Sequence, residues 1–382
     1  MPEPTGIPLG LYVHLPWCLQ KCPYCDFNSH ALSGTLPEQD YLRALLEDLE
    51  LAARDVRARQ FESVYFGGGT PSLFTAASIG RFLSAVDRAG LLSPDAEISL
   101  EANPGTADLR RFEAFRVAGV NRLSIGVQSF DDASLRALGR VHDGVQAAQA
   151  VELAVSGFDQ VNLDLMYGLP AQTPELAAYD LDRAIESGVS HISCYQLTIE
   201  PNTVFAKYPP KLPDEDVLAQ IDALVQARLD EAGYRHYEVS AHAKPGHECR
   251  HNLNYWSFGD YIGLGAGAHS KLTVDGRVLR VERVRVPETY MRRAGSADVI
   301  SKVIGKTAQE LLFEFMLNAL RLRAGFSLDL LRERTGLEPG LASPGLARAQ
   351  SRGLLLVEDG HVRLTALGHR FLNQAVAEFL PA

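Results

Sequence analysis

"HLPWCLQKCPYCDFNSH", residues 14–30, packs three of the chain's five cysteines into eight positions. Cys18, Cys22 and Cys25 follow the spacing Cys-x3-Cys-x2-Cys, while Cys194 and Cys249 lie far away. An odd number of cysteines does not suggest a disulfide framework, and a reducing compartment leaves thiols available to a metal. Structural zinc sites usually take four ligands as two separated pairs, and no second pair lies nearby. Thiolates are soft donors that also hold iron–sulfur clusters, and a cubane normally takes four of them. Three thiolates leave one iron open to a substrate or cofactor. A zinc site completed by His14 or His30 is the rival on the same residues. Pro16 and Pro23 stiffen the loop and remove two N–H donors.

The loop follows "LGLYVHLP" (9–16), the first of six β-rich runs. The others are "ESVYFGGG", "EISLEANP", "NRLSIGVQSF", "QVNLDLMYGLP" and "HISCYQLTIEP". Helix-like stretches lie between them, such as residues 37–56 with leucines at helical spacing. Strands alternating with helices predict βαβ units and a parallel sheet. Six units fall short of the eight of a closed barrel. The expected fold is therefore α/β, a partial (β/α)6 barrel over residues 1–235. The runs read as mostly apolar, as strands under helices should. Residues 236–306, rich first in Gly, His and aromatics and then in Arg and Val, predict strands and loops closing one side of the barrel. Residues 307–382 read as helices, a hairpin turned at Asp359-Gly360, and a last helix. That order suggests a small winged-helix-like domain.

Several strands end in loop-forming or polar residues: 67–71 (Gly-Gly-Gly-Thr-Pro), 101–104 (Glu-Ala-Asn-Pro), Gln128 and Asp164. Parallel α/β proteins bind ligands at the carboxyl ends of their strands. The polar residues gather where that rule expects a site.

Composition sets the outer bounds. The chain has 382 residues, 46% hydrophobic and 22% charged, an ordinary globular balance. No apolar run approaches the roughly 20 residues of a membrane helix. The N-terminal "MPEPTGIPLG" lacks the basic start and apolar stretch of a signal peptide. The expectation is a cytoplasmic protein that is not an integral membrane protein. A net charge of −10 argues against a nucleic-acid partner. Residues 307–382 hold eight Lys or Arg against eight Asp or Glu. A redox sensor reading DNA through that module would lack the attraction that binding requires. The module is expected to pack over the site or to meet a protein partner.

The cysteine triple, with Tyr24 before its last member and after a first strand, resembles the radical S-adenosylmethionine (SAM) superfamily. "FGGGTPS" (66–72) resembles that superfamily's glycine-rich motif. The resemblance implies a 4Fe-4S cluster on Cys18, Cys22 and Cys25, with SAM on the open iron. Glycines let backbone approach such a ligand closely. "LYVHLPWCLQKCPYC", "FGGGTPS", "EISLEANP", "RLSIGVQSF" and "LGRVHD" together resemble the oxygen-independent coproporphyrinogen III oxidase group over nearly the whole chain. That likeness implies SAM contacts from Tyr12, Gly68, Gly69, Thr70, Glu101, Gln128, Arg140 and Asp164. No residue is singled out as catalytic.

Two departures stand against the oxidase itself. It has a fourth cysteine where this chain has Phe27, and an N-terminal extension where this chain has eleven residues before Tyr12. "CPYCDFNSH" with "CRHNLNYW" resembles instead the heme-carrying branch of the group. That implies heme as ligand and heme-accepting proteins as partners. The candidate heme residues are His251, Asn252, Tyr255 and Trp256, with His251 the expected iron ligand and Cys249 its rival. The same segment could instead close the barrel and fill its core. A third reading is metal binding by His247, Cys249 and His251, which would share one face of an extended strand. His269, in "GLGAGAHS", is expected at the barrel mouth.

Overall fold

The computed structural model describes residues 6–54, 56, 59–106 and 109–381. The first half of the N-terminal stretch read for a signal, residues 1–5, lies outside them.

Alternating side chains decide how the sheet is used. Six strands come in the expected order: β1 (Leu9–Leu15), β2 (Phe61–Gly68), β3 (Leu92–Ala102), β4 (Arg122–Gln128), β5 (Gln160–Tyr167) and β6 (His191–Gln196). They pair in parallel, each with the next. In the covered face, Val64 and Phe66, Ile98 and Leu100, Leu123 and Ile125, and Val161 and Leu163 join one hydrophobic core. Between them stand Ser63 and Tyr65, Ser99 and Glu101, Ser124, Asn162 and Asp164, which period two sends to the other face. The expectation of mostly apolar strands is thus half right: one face is core and the other is a polar interior.

Helices α1 (Glu38–Ala53), α2 (Ala76–Arg88), α3 (Leu109–Val117), α4 (Gly144–Gly157), α5 (Pro174–Glu186) and α6 (Glu215–Glu231) follow the six strands in turn. Their starts are locally encoded. Thr75, Thr173 and Asp214 accept a hydrogen bond from an N–H of the first turn, and Asp143 with Gln146 forms a reciprocal cap on α4.

Residues 236–306 depart from the expectation of one closed side, because they serve both edges. Strands β7 (Arg235–His236) and β8 (Ala241–Ala243) continue antiparallel from β6. Helix α7 (Arg250–Trp256) then leads to β9 (Asp260–Leu264), which pairs with β1 in parallel as a seventh parallel strand. Antiparallel β10 (His269–Val274), β11 (Arg277–Arg283) and β12 (Ile300–Gly305) extend that edge. The sheet reads β12-β11-β10-β9-β1-β2-β3-β4-β5-β6-β8-β7.

The last part has its own core around Phe315, Leu331, Ala349 and Val362. Helices α8 (Ala308–Ala319), α9 (Leu328–Thr335) and α10 (Ser343–Ser351) precede a hairpin of β13 (Leu355–Glu358) and β14 (His361–Leu364). Asp359 and Gly360 both have positive φ, 49° and 76°, as the two-residue turn demands. This winged-helix-like module packs on Phe258 and Val278. Among the described residues, none of its side chains lines the two cavities described below, which corrects the expectation that it covers the site. No helix among the described residues is long and apolar enough to cross a membrane.

Candidate cofactor site

The cysteine loop is tied at its base. Trp17–Cys18 pairs in parallel with His30–Ala31. The Leu32 amide donates to the Cys18 carbonyl (2.8 Å) and the His30 amide to the Pro16 carbonyl (2.7 Å). Buried Trp17 anchors the tie edge-on against Tyr41, ring centroids 4.8 Å apart. Of the chain between, residues 19–21 and 26–27 are exposed, while Cys22 and Cys25 are half-buried.

Cys18, Cys22 and Cys25 line one cavity of about 330 Å³ at the carboxyl ends of the parallel strands. Gly68, Gly69, Thr70, Glu101, Gln128, Arg140 and Asp164 line the same cavity. Ten residues named from the sequence, spread over 147 positions (18 to 164), therefore share one hollow. Tyr12, the eighth expected SAM contact, lines a second cavity of about 430 Å³ behind a wall of Phe27, Gly68 and Glu101 common to both.

The walls are electrostatically prepared. Burial and the nearby Asp164 push the Glu101 carboxyl up to about 7. It accepts from the Tyr65 hydroxyl (2.9 Å) and the Gly68 amide (3.2 Å). Burial also raises the Asp164 carboxyl, against hydrogen bonds from Ser124 and Asn162. Arg140 donates to Cys22 Sγ (3.6 Å), to the Gly126 carbonyl (2.7 Å) and to Asn103. Burial raises the Cys18 thiol, partly offset by the Thr70 hydroxyl. Gln128 sits at φ 68°, a left-handed strain stored where β4 ends on the cavity.

The donor set fits an iron–sulfur cluster. Three soft thiols line one hollow, the donor type that iron–sulfur clusters take. Gly68 supplies the close approach: a Cβ there would stand 2.5 Å from the His14 ring, with φ at 115°.

The segment expected to hold heme is placed differently. α7 enters the barrel from the opposite end of the strands and closes it. Glu97 on β3 accepts from the Arg250 amide (3.1 Å), the His251 amide (3.0 Å) and Cys249 Sγ (3.4 Å). The His251 ring is 2% exposed, stacks on Tyr65 at 4.9 Å and holds Ser63 through Nδ1 (2.9 Å). Its Nε2 is buried without a partner. His251 lines neither of these two cavities, so the residue expected to ligate iron is a floor residue as packed. Burial and Glu97 push the Cys249 thiol up to about 12, which disfavours a thiolate. Trp256 lies under the Arg321 guanidinium, 4.1 Å from its ring centroid. Asn252 is half-buried and lines neither cavity; Tyr255 lines the second. The three-ligand alternative is also broken, because the backbone turns into a helix at Arg250. His247 bonds Gln160 while Cys249 bonds Glu97.

Tyr24 of the cysteine motif also lines the first cavity, together with three residues not expected as ligand contacts: Asn103, Ser124 and Tyr195. Asn103 stood inside the quoted "EANP". Ser124 and Tyr65 were visible as polar members of an alternating strand.

Comparison with known proteins settles the family. Residues 12–184 match the model of the radical SAM superfamily, and residues 307–371 that of the HemN C-terminal domain. "Heme chaperone HemW" of Escherichia coli (strain K12) is 46% identical over 375 residues, covering 98% of each chain. The chain belongs to the HemW family. "Heme chaperone HemW" of Mycobacterium tuberculosis (strain ATCC 25618 / H37Rv) is 40% identical, over 98% of this chain and 95% of that one. "Radical S-adenosyl methionine domain-containing protein 1, mitochondrial" of Mus musculus is 35% identical over all of this chain and 89% of its own. The solved coproporphyrinogen III oxidase (HemN) from Escherichia coli, described as a radical SAM enzyme, superposes with a TM-score of 0.83. It shares 25% identity and covers 99% of this chain and 91% of its own.

Proposed function

We propose that this protein binds a 4Fe-4S cluster, SAM and heme, and hands the heme to acceptor proteins in the cytoplasm. The observation that carries the reading is 46% identity, over 98% of both chains, to a protein named heme chaperone HemW.

Cys18, Cys22 and Cys25, which line the cavity, would hold the cluster through three thiolates and leave one iron without a protein ligand. Such a cluster supplies an electron and one open coordination position. The N–H groups of residues 68–70 are committed to Glu101, Leu15 and Trp17. The glycine loop therefore serves a ligand through acceptor oxygens, which suits the ammonium of SAM. Glu101 and Asp164 accept from the ammonium or from ribose hydroxyls. Arg140 meets the carboxylate, and Gln128 offers its amide. Tyr12 acts from behind the shared wall, stacked on Tyr65, which holds Glu101.

Heme lies on the other side of that wall, where Tyr255 faces the second cavity. His251, Asn252 and Trp256 hold the floor. Phe27, in place of the oxidase's fourth cysteine, lines both cavities and favours carriage over decarboxylation. We read residues 1–235 as the barrel, 236–306 as its closing strands and floor, and 307–382 as the terminal domain.

The test is anaerobic reconstitution with iron and sulfide, followed by hemin titration. About four irons and about one heme per chain are expected. Coproporphyrinogen III supplied with SAM and reductant should come back unchanged. Decarboxylated product over many turnovers would replace this reading with the oxidase.

A further inference from the structure

The second cavity has the chemistry that α7 lacks. Its walls carry four aromatic rings, from Tyr12, Phe27, Tyr255 and Tyr261. Two of the three tyrosine hydroxyls are taken up elsewhere. Tyr12 is bonded to His14 Nδ1 (3.0 Å), and Tyr261 accepts from Arg280 (2.8 Å). Their rings are left as apolar surface. At about 430 Å³ and open to solvent, the hollow is of ligand size.

Two imidazoles and one guanidinium also line it: His14, His269 and Arg285. The imidazoles differ in what their nitrogens already do. His14 is used at both, Nε2 on the Asn28 carbonyl (2.9 Å) and Nδ1 on Tyr12. His269 is exposed at the start of β10, and among the described residues its ring makes no hydrogen bond. Arg285 is likewise exposed, and among the described residues its guanidinium has no ion pair. His251, the third imidazole in question, is shut behind Tyr65 and Tyr12.

The backbone under these groups is fixed. Asn28 Nδ2 donates to the carbonyls of Ala266 (2.9 Å) and Arg285 (3.0 Å). It thereby ties the cysteine loop to the turn that launches His269. Gly267 makes the fit possible: a Cβ there would stand 2.4 Å from Asn28 Nδ2, with φ at 78°. Phe27, beside Asn28, is 64% exposed at the rim.

Heme presents a flat apolar ring, an iron that takes an imidazole, and carboxylates that take a cation. The cavity offers one unbonded partner for each. We propose that heme seats in this second cavity, with His269 as iron ligand and Arg285 paired to a propionate carboxylate. The assignment rests on the heme reading above and replaces the ligand expected on α7.

The full-length, cluster-reconstituted protein is titrated anaerobically with hemin and separately with metal-free protoporphyrin IX. Wild type is compared with His269→Ala, Arg285→Ala and His251→Gln, with circular dichroism matched. His269→Ala should lose the imidazole-ligated heme spectrum and bind hemin about tenfold more weakly, while binding metal-free porphyrin as wild type does. Added imidazole should restore the spectrum. Arg285→Ala should weaken both probes by about tenfold with the spectrum kept. His251→Gln should leave the spectrum as in wild type. A folded His269→Ala with the wild-type spectrum, or loss of that spectrum in His251→Gln, would overturn the assignment and leave heme carriage standing. Failure of wild type to saturate with hemin would overturn heme carriage itself, and this site with it.

Discussion

The cysteine loop at residues 14–30 and the helix at residues 250–256 are alike as sequence and opposite as structure. Each is a short run of metal-binding and aromatic residues. In the loop, a two-residue ladder ties the base, and the three thiols line the cavity. In the helix, a buried glutamate caps the start, and Cys249 and His251 turn into the barrel floor. The difference is where each motif's backbone is satisfied. A loop closed on itself keeps its side chains for a ligand. A helix capped by another strand's side chain puts its first turn wherever that strand stands.

The largest effect expected from this contrast is all-or-none. Cys22→Ser should abolish iron retention after anaerobic reconstitution, and Cys18→Ser and Cys25→Ser should do the same. Cys249→Ser should keep the iron content of wild type. Equal loss in Cys249→Ser and Cys22→Ser would erase the distinction between loop and floor.

The next effect tests the floor alone. Glu97 holds three donors of the α7 start and faces the buried Arg122 guanidinium at 3.7 Å. Glu97→Ala leaves that cation without its carboxylate and two amides without acceptors. A loss of about 3 kcal/mol in urea unfolding is expected. Iron binding by the folded fraction should persist, since the cysteine loop shares no hydrogen bond with Glu97. A loss under about 1 kcal/mol would mean that the cap is not what seats α7.

The same contrast explains what could be read early. The cysteine spacing, the six βα units and the Asp359-Gly360 turn are local patterns, and each is present. Ten expected cofactor residues converge because the rule about strand ends needs only the order of the strands. β9 was not legible as a seventh parallel strand, since its partner β1 lies some 250 residues earlier (Leu9 against Asp260). Nothing near Asp260 reports that it will be buried between Lys271 and Arg59. Glu97 read as one more polar residue on a strand, because its partners Arg250 and His251 are more than 150 positions away. The role of His251 is decided by Ser63 and Tyr65, and no window around "HNLNYW" contains them.

The smallest effect sharpens the contrast by pH. Burial pushes the His251 imidazole down to about 3. An unfolded chain would protonate it near 6.5. The folded value is the lower one, so the unfolded state binds the extra proton first. His251 therefore contributes fully above about pH 6.5, and that contribution is lost as pH falls toward 3. Between pH 7 and pH 5 the loss amounts to about 2 kcal/mol for this residue. His251→Gln keeps a polar group beside Ser63 but cannot titrate. It should begin less stable than wild type at pH 7 and close the gap by about 2 kcal/mol at pH 5, read from urea unfolding at both values. Other buried histidines, such as His191 and His242, titrate in both proteins and cancel in the difference. A gap that stays constant with pH would mean that the imidazole reaches solvent in the folded protein. It would then be as free for a ligand as a cavity residue, and the line between loop and floor would fail at the point where it is drawn.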